Sequence, residues 1–275
     1  MSNPSWAPEG VPLDRPSVAR MYDFFLGGYH NFAIDRAVAE QVVAAYPDFP
    51  LIMRANRAFL RRAVTFLASQ GIDQFLDLGS GIPTVGNVHE VAQAINPDAR
   101  VVYVDIDPVA VAHSRAILAG NPNATVIQAD ARRPEQIVGD PEVGRLLDLD
   151  RPVAVLLLAF LHFFQDDAEA EALVRGLRDV LAPGSYLVIS HASYDDMPTD
   201  VRERLEGLYT RTPTPVRSRT REQIADFFAG FDLVEPGLVY VPAWRPEGPG
   251  DLWHDEPDRV HGFAGVGRKP ERRRE

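Results

Sequence analysis

Five short runs of apolar, strand-forming residues recur between positions 74 and 190, with room for a helix between each and the next. They are QFLDL (74–78), VVYVD (101–105), ATVIQ (124–128), VAVLLLA (153–159) and YLVIS (186–190). Helical stretches fall at 84–95, 108–119 and 167–182. Runs that are apolar along their length belong to strands buried on both faces, and helix-length crossovers join parallel strands. Two later segments, FDLVEPGLVYV (231–241) and RVHGFAGVG (259–267), supply two more strands. The pattern predicts an α/β fold built on a mostly parallel, seven-stranded sheet with helices on both faces.

Three helices are expected ahead of that sheet. The first starts at Ser17 in SVARMYDFFLGG and stops at Gly27 and Gly28; the second covers Ala33 to Ala45 and ends before Pro47. The third covers Leu51 to Gln70, with Gly71 as its terminator. The expected organisation is an arm and helical extension or lid over 1–70, the sheet domain over 71–270 and a basic tail over 271–275.

Composition removes several chemistries. The chain has no cysteine, so it has no disulfide, thiolate metal site or cysteine nucleophile. Lys269, next to the C-terminal tail, is the only lysine, which excludes Schiff-base catalysis, a phosphate-loop lysine and a Tyr/Lys dehydrogenase pair. A net charge of −11 argues against bulk binding to nucleic acid. The longest apolar run, PVAVLLLAFL (152–161), is too short to span a membrane, and the N-terminus lacks the pattern of a signal peptide. The expected location is therefore cytoplasmic. A homo-oligomer is compatible with the sequence, which does not encode the oligomeric state legibly.

The turn after the first strand, in FLDLGSGIPTVGN (75–87), is the prime ligand position of such a sheet. Gly79 and Gly81 allow a sharp turn and a close approach. A dinucleotide pyrophosphate wants a third glycine three residues after Gly81, but Thr84 stands there and Gly86 comes later. S-adenosylmethionine has no phosphate and tolerates the backbone N–H that Pro83 removes. Asp105 closes the second strand, where an acid can accept from both ribose hydroxyls. Asp130 follows the third strand in VIQADA, placed to accept from an adenine amine, and AFLHFF after the fourth offers walls for the ring.

On these residues the chain resembles the class I S-adenosylmethionine-dependent methyltransferases, which have a Rossmann-like fold. LDLGSG resembles their first motif, VYVDIDP their ribose acid and IQADAR their adenine-contacting acid. ARMYDFFLGGYHNFAIDRAVAE, RANRAFLRRAV and SGIPTVGNVHEVAQ resemble hallmark segments of a mostly actinobacterial family long listed as of unknown function within that superfamily. The resemblance implies that S-adenosylmethionine is the cofactor and S-adenosylhomocysteine the product, that 71–270 is the cofactor-binding methyltransferase domain, and that Pro83 is normal. It does not name the acceptor.

The candidate cofactor-binding set is Tyr22, Arg54, Arg57, Asp77, Gly79, Gly81, Asp105, Ile106, Asp130, Ala131, Ala159 and Phe160. Each has a plainer reading. Asp77 would brace the loop, Asp130 would be turn punctuation, and Tyr22 would be amphipathic packing. One of Arg54 and Arg57 is expected to meet the methionine carboxylate, because a planar guanidinium suits it; otherwise both are solvated. Asp107, before Pro108, reads as a helix cap, and Arg61 and Arg62 as structural. In LGGYHNF the paired glycines suggest a lid or a tight backbone approach. His162 and His191 follow the fourth and fifth strands and are the candidates for a general base, or else hydrogen-bonded filler. Their spacing makes a poor metal site, and none is expected. Tyr194, Asp195 and Asp196 lie at the substrate side by position alone.

Methyl transfer needs alignment more than a fixed catalytic group. No PPY follows the fourth strand, as it does in amino-methylating DNA enzymes, and there is no cysteine for cytosine-C5 chemistry. The paired glutamates of protein arginine methyltransferases are also missing. The expected acceptor is a small molecule. Two alternatives stay open: a non-catalytic regulatory module that binds S-adenosylmethionine or S-adenosylhomocysteine, and a nicotinamide-dependent dehydrogenase, which the loop spacing disfavours.

Overall fold

Strands β1 (Gln74–Leu78), β2 (Arg100–Asp105), β3 (Ala124–Gln128), β4 (Ala154–Leu158) and β5 (Tyr186–Ala192) run parallel in the computed structural model, which describes residues 15–83, 86–209 and 214–271. β8 (Gly262–Arg268) runs antiparallel to β5 and carries two short strands, β6 (Asp232–Leu233) and β7 (Val239–Tyr240), on its other edge. The order is β3-β2-β1-β4-β5-β8-β6, with β7 beside β8. The sheet has eight strands and is mixed, rather than seven. The segment 231–241 cannot be one strand: it turns at Glu235 to Gly237, where Gly237 N–H donates to Val234 O at 2.8 Å. Its two halves therefore meet different parts of β8.

Alternation within the buried strands sends neighbours to opposite faces. Phe75, Val101, Leu156 and Val188 pack under Phe59, Ala63, Val64 and Leu67 of α3 (Phe49–Ser69) and under α4 (Val88–Ile95). Leu76, Val102, Leu157 and Leu187 pack on the other face against α8 (Asp167–Val180) and α10 (Arg221–Asp226). This arrangement covers both faces, as continuous apolar strands require.

The predicted helix over 84–95 begins later. Asn87 and Gly86 N–H groups both donate to Glu90 Oε2, at 2.7 and 2.9 Å, closing a reciprocal cap that starts α4 at Val88. Pro83 lies upstream of this cap and does not open the helix; Thr84 lies outside the described residues. α5 (Pro108–Ile117) does start at its proline, with Asp107 accepting from Val109 N–H at 2.8 Å.

α1 (Val18–Phe25) and α2 (Ala33–Ala45) sit against α9 (Thr199–Tyr209), sharing an apolar cluster with Phe49, Tyr194 and Leu205. A buried polar clasp ties them to the sheet. Asp35 accepts from Ser17 N–H and Phe32 N–H and pairs with Arg20 Nε at 3.0 Å, while Ser17 Oγ donates to Asp107. The LGGYHNF exit makes a close backbone approach. A Cβ on Gly28 would stand 2.0 Å from Asp23 Oδ1, and Tyr29 is 87% exposed. No helix among the described residues is long and apolar enough to cross a membrane.

Candidate functional site

Strand order reverses between β1 and β4, and ligands of open α/β sheets bind outside the strand ends at such a point. A cavity of about 720 Å3 opens there, roofed by α1 and α3. It is lined by every candidate site residue except Arg54. On α3 the lining positions are Phe49, Ile52, Met53, Asn56, Arg57 and Leu60, a stripe at helical spacing; Arg54 falls off it and is exposed. Of the two candidate arginines, only Arg57 faces the cavity.

The chain leaves β1 through Gly79 and Gly81, at φ +71° and +67°. The space a Cβ would need at Gly79 is taken by the Phe160 ring, 2.2 Å away, whereas nothing lies within 4 Å of that position at Gly81. The close approach at Gly79 is thus to a side chain of the next strand end. Gly81→Ala carries only the left-handed backbone cost of about 1–2 kcal/mol. Gly79→Ala carries that cost and must also displace Phe160. Urea unfolding is expected to show the larger loss of stability for Gly79→Ala.

Asp105 closes β2 and ties the loop: its Oδ2 accepts from Gly81 N–H at 2.7 Å and its Oδ1 from Asp107 N–H at 2.8 Å. Burial pushes its carboxyl up to about 6, against the pull of those N–H groups. Asp77, 5% exposed, is pushed up to about 7 by burial, opposed by Arg57 and reinforced by Asp105. No hydrogen bond among the described residues satisfies its carboxylate. Arg57 likewise has a buried Nε without a hydrogen-bond partner, and its guanidinium lies 5.9 Å from the centre of the Tyr22 ring. The Tyr22 hydroxyl is already engaged, donating to Met53 O at 3.3 Å and accepting from Asn56 Nδ2 at 3.0 Å. Tyr22 therefore offers the cavity its ring.

Asp130 is less free than its position suggested. Arg132 holds both of its oxygens, and its carboxyl lies below the usual carboxylate range, first because of those hydrogen bonds. An adenine amine would have to share these oxygens. Ile106, 58% exposed, and Ala131 flank the same end. Ala159 has φ +50°, held because its N–H donates to Ser190 O and Oγ, and this places Phe160 over the loop.

His191 has both ring nitrogens engaged within the protein. Its Nε2 faces Arg219 Nη1 at 2.9 Å and its Nδ1 faces Ala192 O at 2.7 Å, so the neutral ring accepts from one and donates to the other. Burial pushes its pKa well down, and His162 and Arg219 add to this. His162 also lines the cavity, but burial and then Arg219 push it down to about 3, leaving a weak proton acceptor. Arg219 itself is spent on Asp167, Leu161 O, Phe164 O and His191, and so fixes the turn that carries His162. Asp196 accepts from Tyr240 Oη and does not line the cavity; of the predicted Tyr194–Asp196 group, only Tyr194 does.

Sequence reasoning missed the lining contributed by Arg15 to Arg20, Asn56, Ser190 and Tyr209. Asn56 and Ser190 are joined by a 2.6 Å hydrogen bond across 134 positions. No local pattern encodes that pairing. Among the described residues, no group of three or more His, Asp or Glu side chains is arranged to hold a metal ion.

The profile of the S-adenosyl methyltransferase family matches residues 4–270. A crystal structure of a candidate methyltransferase from Thermobifida fusca is 44% identical, with 98% of this chain and 100% of that chain covered and a TM-score of 0.90. A DUF574 family protein from Streptomyces avermitilis is 38% identical over 94% of this chain and 98% of its own, with a TM-score of 0.87. Human N-acetylserotonin methyltransferase, solved with S-adenosylmethionine, is 15% identical over 91% of this chain and 62% of its own, at a TM-score of 0.50, and shares the fold. No curated protein matches the sequence. The chain belongs to the S-adenosyl methyltransferase family, whose cofactor is S-adenosylmethionine.

Proposed function

We propose that this methyltransferase binds S-adenosylmethionine along the Gly79–Gly81 loop and transfers its methyl group to a small-molecule acceptor. One observation carries the reading: Asp77 and Arg57, an acid and a cation without hydrogen-bond partners for the carboxylate and Nε, line one cavity beside that loop. A ligand with an ammonium and a carboxylate on one carbon satisfies both. The two attract each other through space but leave hydrogen-bonding groups unsatisfied, and desolvated polar groups are costly until paired, so a zwitterion that completes both stabilises the site.

The cofactor, when bound, supplies an activated methyl group on a sulfonium. The chain's own residues position and enclose. Asp105 accepts from the ribose hydroxyls with the lone pairs that Gly81 and Asp107 leave free. Phe160, Ile106 and Ala131 wall the adenine, with Asp130 at its edge. The clasp of Ser17, Arg20, Asp35 and Asp107 keeps α1 over the site and so excludes water. His162 and His191 are both held weakly basic, and the reaction is governed by alignment.

Calorimetric titration with S-adenosylhomocysteine tests the site, and NAD serves as the contrast. Binding of NAD but not of S-adenosylhomocysteine would end this reading. Arg57→Met is expected to weaken S-adenosylhomocysteine about tenfold or more, as loss of a charge-assisted hydrogen bond of ~1.5–3 kcal/mol implies. Arg54→Met is expected to leave affinity unchanged. Transfer of labelled methyl groups into a small-molecule extract tests catalysis.

A further inference from the structure

The cavity has two unlike ends. Charged lining residues gather at the loop end, where Arg20 pairs with Asp35, and Asp130 with Arg132. Asp105 holds two backbone N–H groups, and Asp77 and Arg57 answer the cofactor's amino-acid end. The other end is a chamber walled by Phe25, Phe49, Met53, Tyr194, Tyr209 and Val216, from α1, α3, α9 and the segments after β5 and α9. Its rings pack at a tilt to one another: Phe25 and Phe49 lie 5.0 Å apart between centres, and Phe49 and Tyr209 6.2 Å. Among the described residues that line this side there is no aspartate, glutamate, lysine or arginine; Arg202 and Glu206, which act electrostatically on Tyr194, do not line it. His261, at its edge, is kept below the ordinary histidine value by burial, against the pull of Asp196 and Asp258.

From this division we infer that the methyl acceptor is an uncharged aromatic small molecule, seated in this chamber beside the cofactor. The inference rests on assigning the loop end to S-adenosylmethionine. At about 720 Å3 the cavity lies high in the ~300–1,000 Å3 range of small-molecule sites, which leaves a place for a second ligand. An ionic acceptor would meet no counter-charge among the described lining residues of this end and would lose hydration there uncompensated. A flat ring instead meets aromatic faces at the offset and edge-on geometries that rings prefer.

The full chain is titrated with three probes of one ring size, with and without saturating S-adenosylhomocysteine. They are 2-naphthol (neutral), 2-naphthoate (anionic) and 2-naphthylmethylammonium (cationic). The neutral probe is expected to bind at least tenfold more tightly than either ion. Val216→Glu, at a half-buried loop position, is expected to cut 2-naphthol affinity at least tenfold while S-adenosylhomocysteine binding persists, which also shows that the variant folds. Equal or tighter binding of a charged probe, no binding of any probe, or indifference of 2-naphthol to Val216→Glu would overturn the inference. Failure of S-adenosylhomocysteine to bind, with 2-naphthol still preferred, would instead remove the cofactor assignment and leave the chamber's selectivity standing.

Discussion

Asp105→Ala is expected to weaken S-adenosylhomocysteine binding by about 100-fold, roughly 3 kcal/mol for two charge-assisted hydrogen bonds. The proposed ribose contacts account for that loss, and the structure adds a second route to it. The carboxylate also holds Gly81 N–H and Asp107 N–H, so the alanine variant frees the glycine loop as well as losing the ligand bonds. Asp107 in turn caps α5 and accepts from Ser17, so the disturbance reaches the N-terminal clasp. Asp105→Asn separates the two effects. It keeps the shape and one good acceptor, and a loss near tenfold is expected for it. Calorimetry of both variants, with urea unfolding as the control for folding, checks the order wild type, Asn, Ala. A folded alanine variant with wild-type affinity would refute the role.

The sequence was most informative where chemistry is local. The runs at 74–78, 101–105 and 124–128 became strands within a residue because continuous apolar character leaves a strand no exposed face. Gly79, Gly81 and Asp105 sit together because a tight turn after one parallel strand meets the end of the next. Other features needed tertiary contacts. Arg54 and Arg57 are equivalent in composition, and only the tilt of α3 on the sheet decides which one faces inward. His191 looked like a base until Arg219, 28 positions on, occupied its acceptor nitrogen. Asp130 looked free until its neighbour Arg132 folded back on it. The chamber is not legible in the sequence because its walls come from α1, α3 and α9, which only tertiary packing brings together.

Binding should also depend steeply on pH, through Asp77 and Asp105. Burial first, and then their mutual repulsion at Asp77, hold these carboxyls at about 7 and about 6 in the bare protein. A ligand that brings an ammonium to Asp77 favours the ionised acid, so its pKa falls on binding and a proton is released. The sign follows from linkage: affinity is full where the acid is already ionised and falls as pH drops below 7. From Asp77 alone the loss between pH 7.5 and pH 5 is on the order of 100-fold. Asp105 adds to it below pH 6, and the two acids titrate as a pair. The melting temperature of the bare protein is a poor readout of this effect. Raised carboxyl pKa values make folding more favourable as pH falls from 7 towards the unfolded carboxylate range. His162 and His191, buried neutral, make it less favourable below the ordinary histidine value. Calorimetry with S-adenosylhomocysteine at several pH values, in buffers of different ionisation enthalpy, counts the protons directly. Release of a substantial fraction of a proton per site near pH 6.5 is expected. Asp77→Asn should bind more weakly at pH 7.5 and lose most of the pH dependence above 6. A flat affinity across this range in the wild-type protein would show that the ligand's ammonium does not meet Asp77.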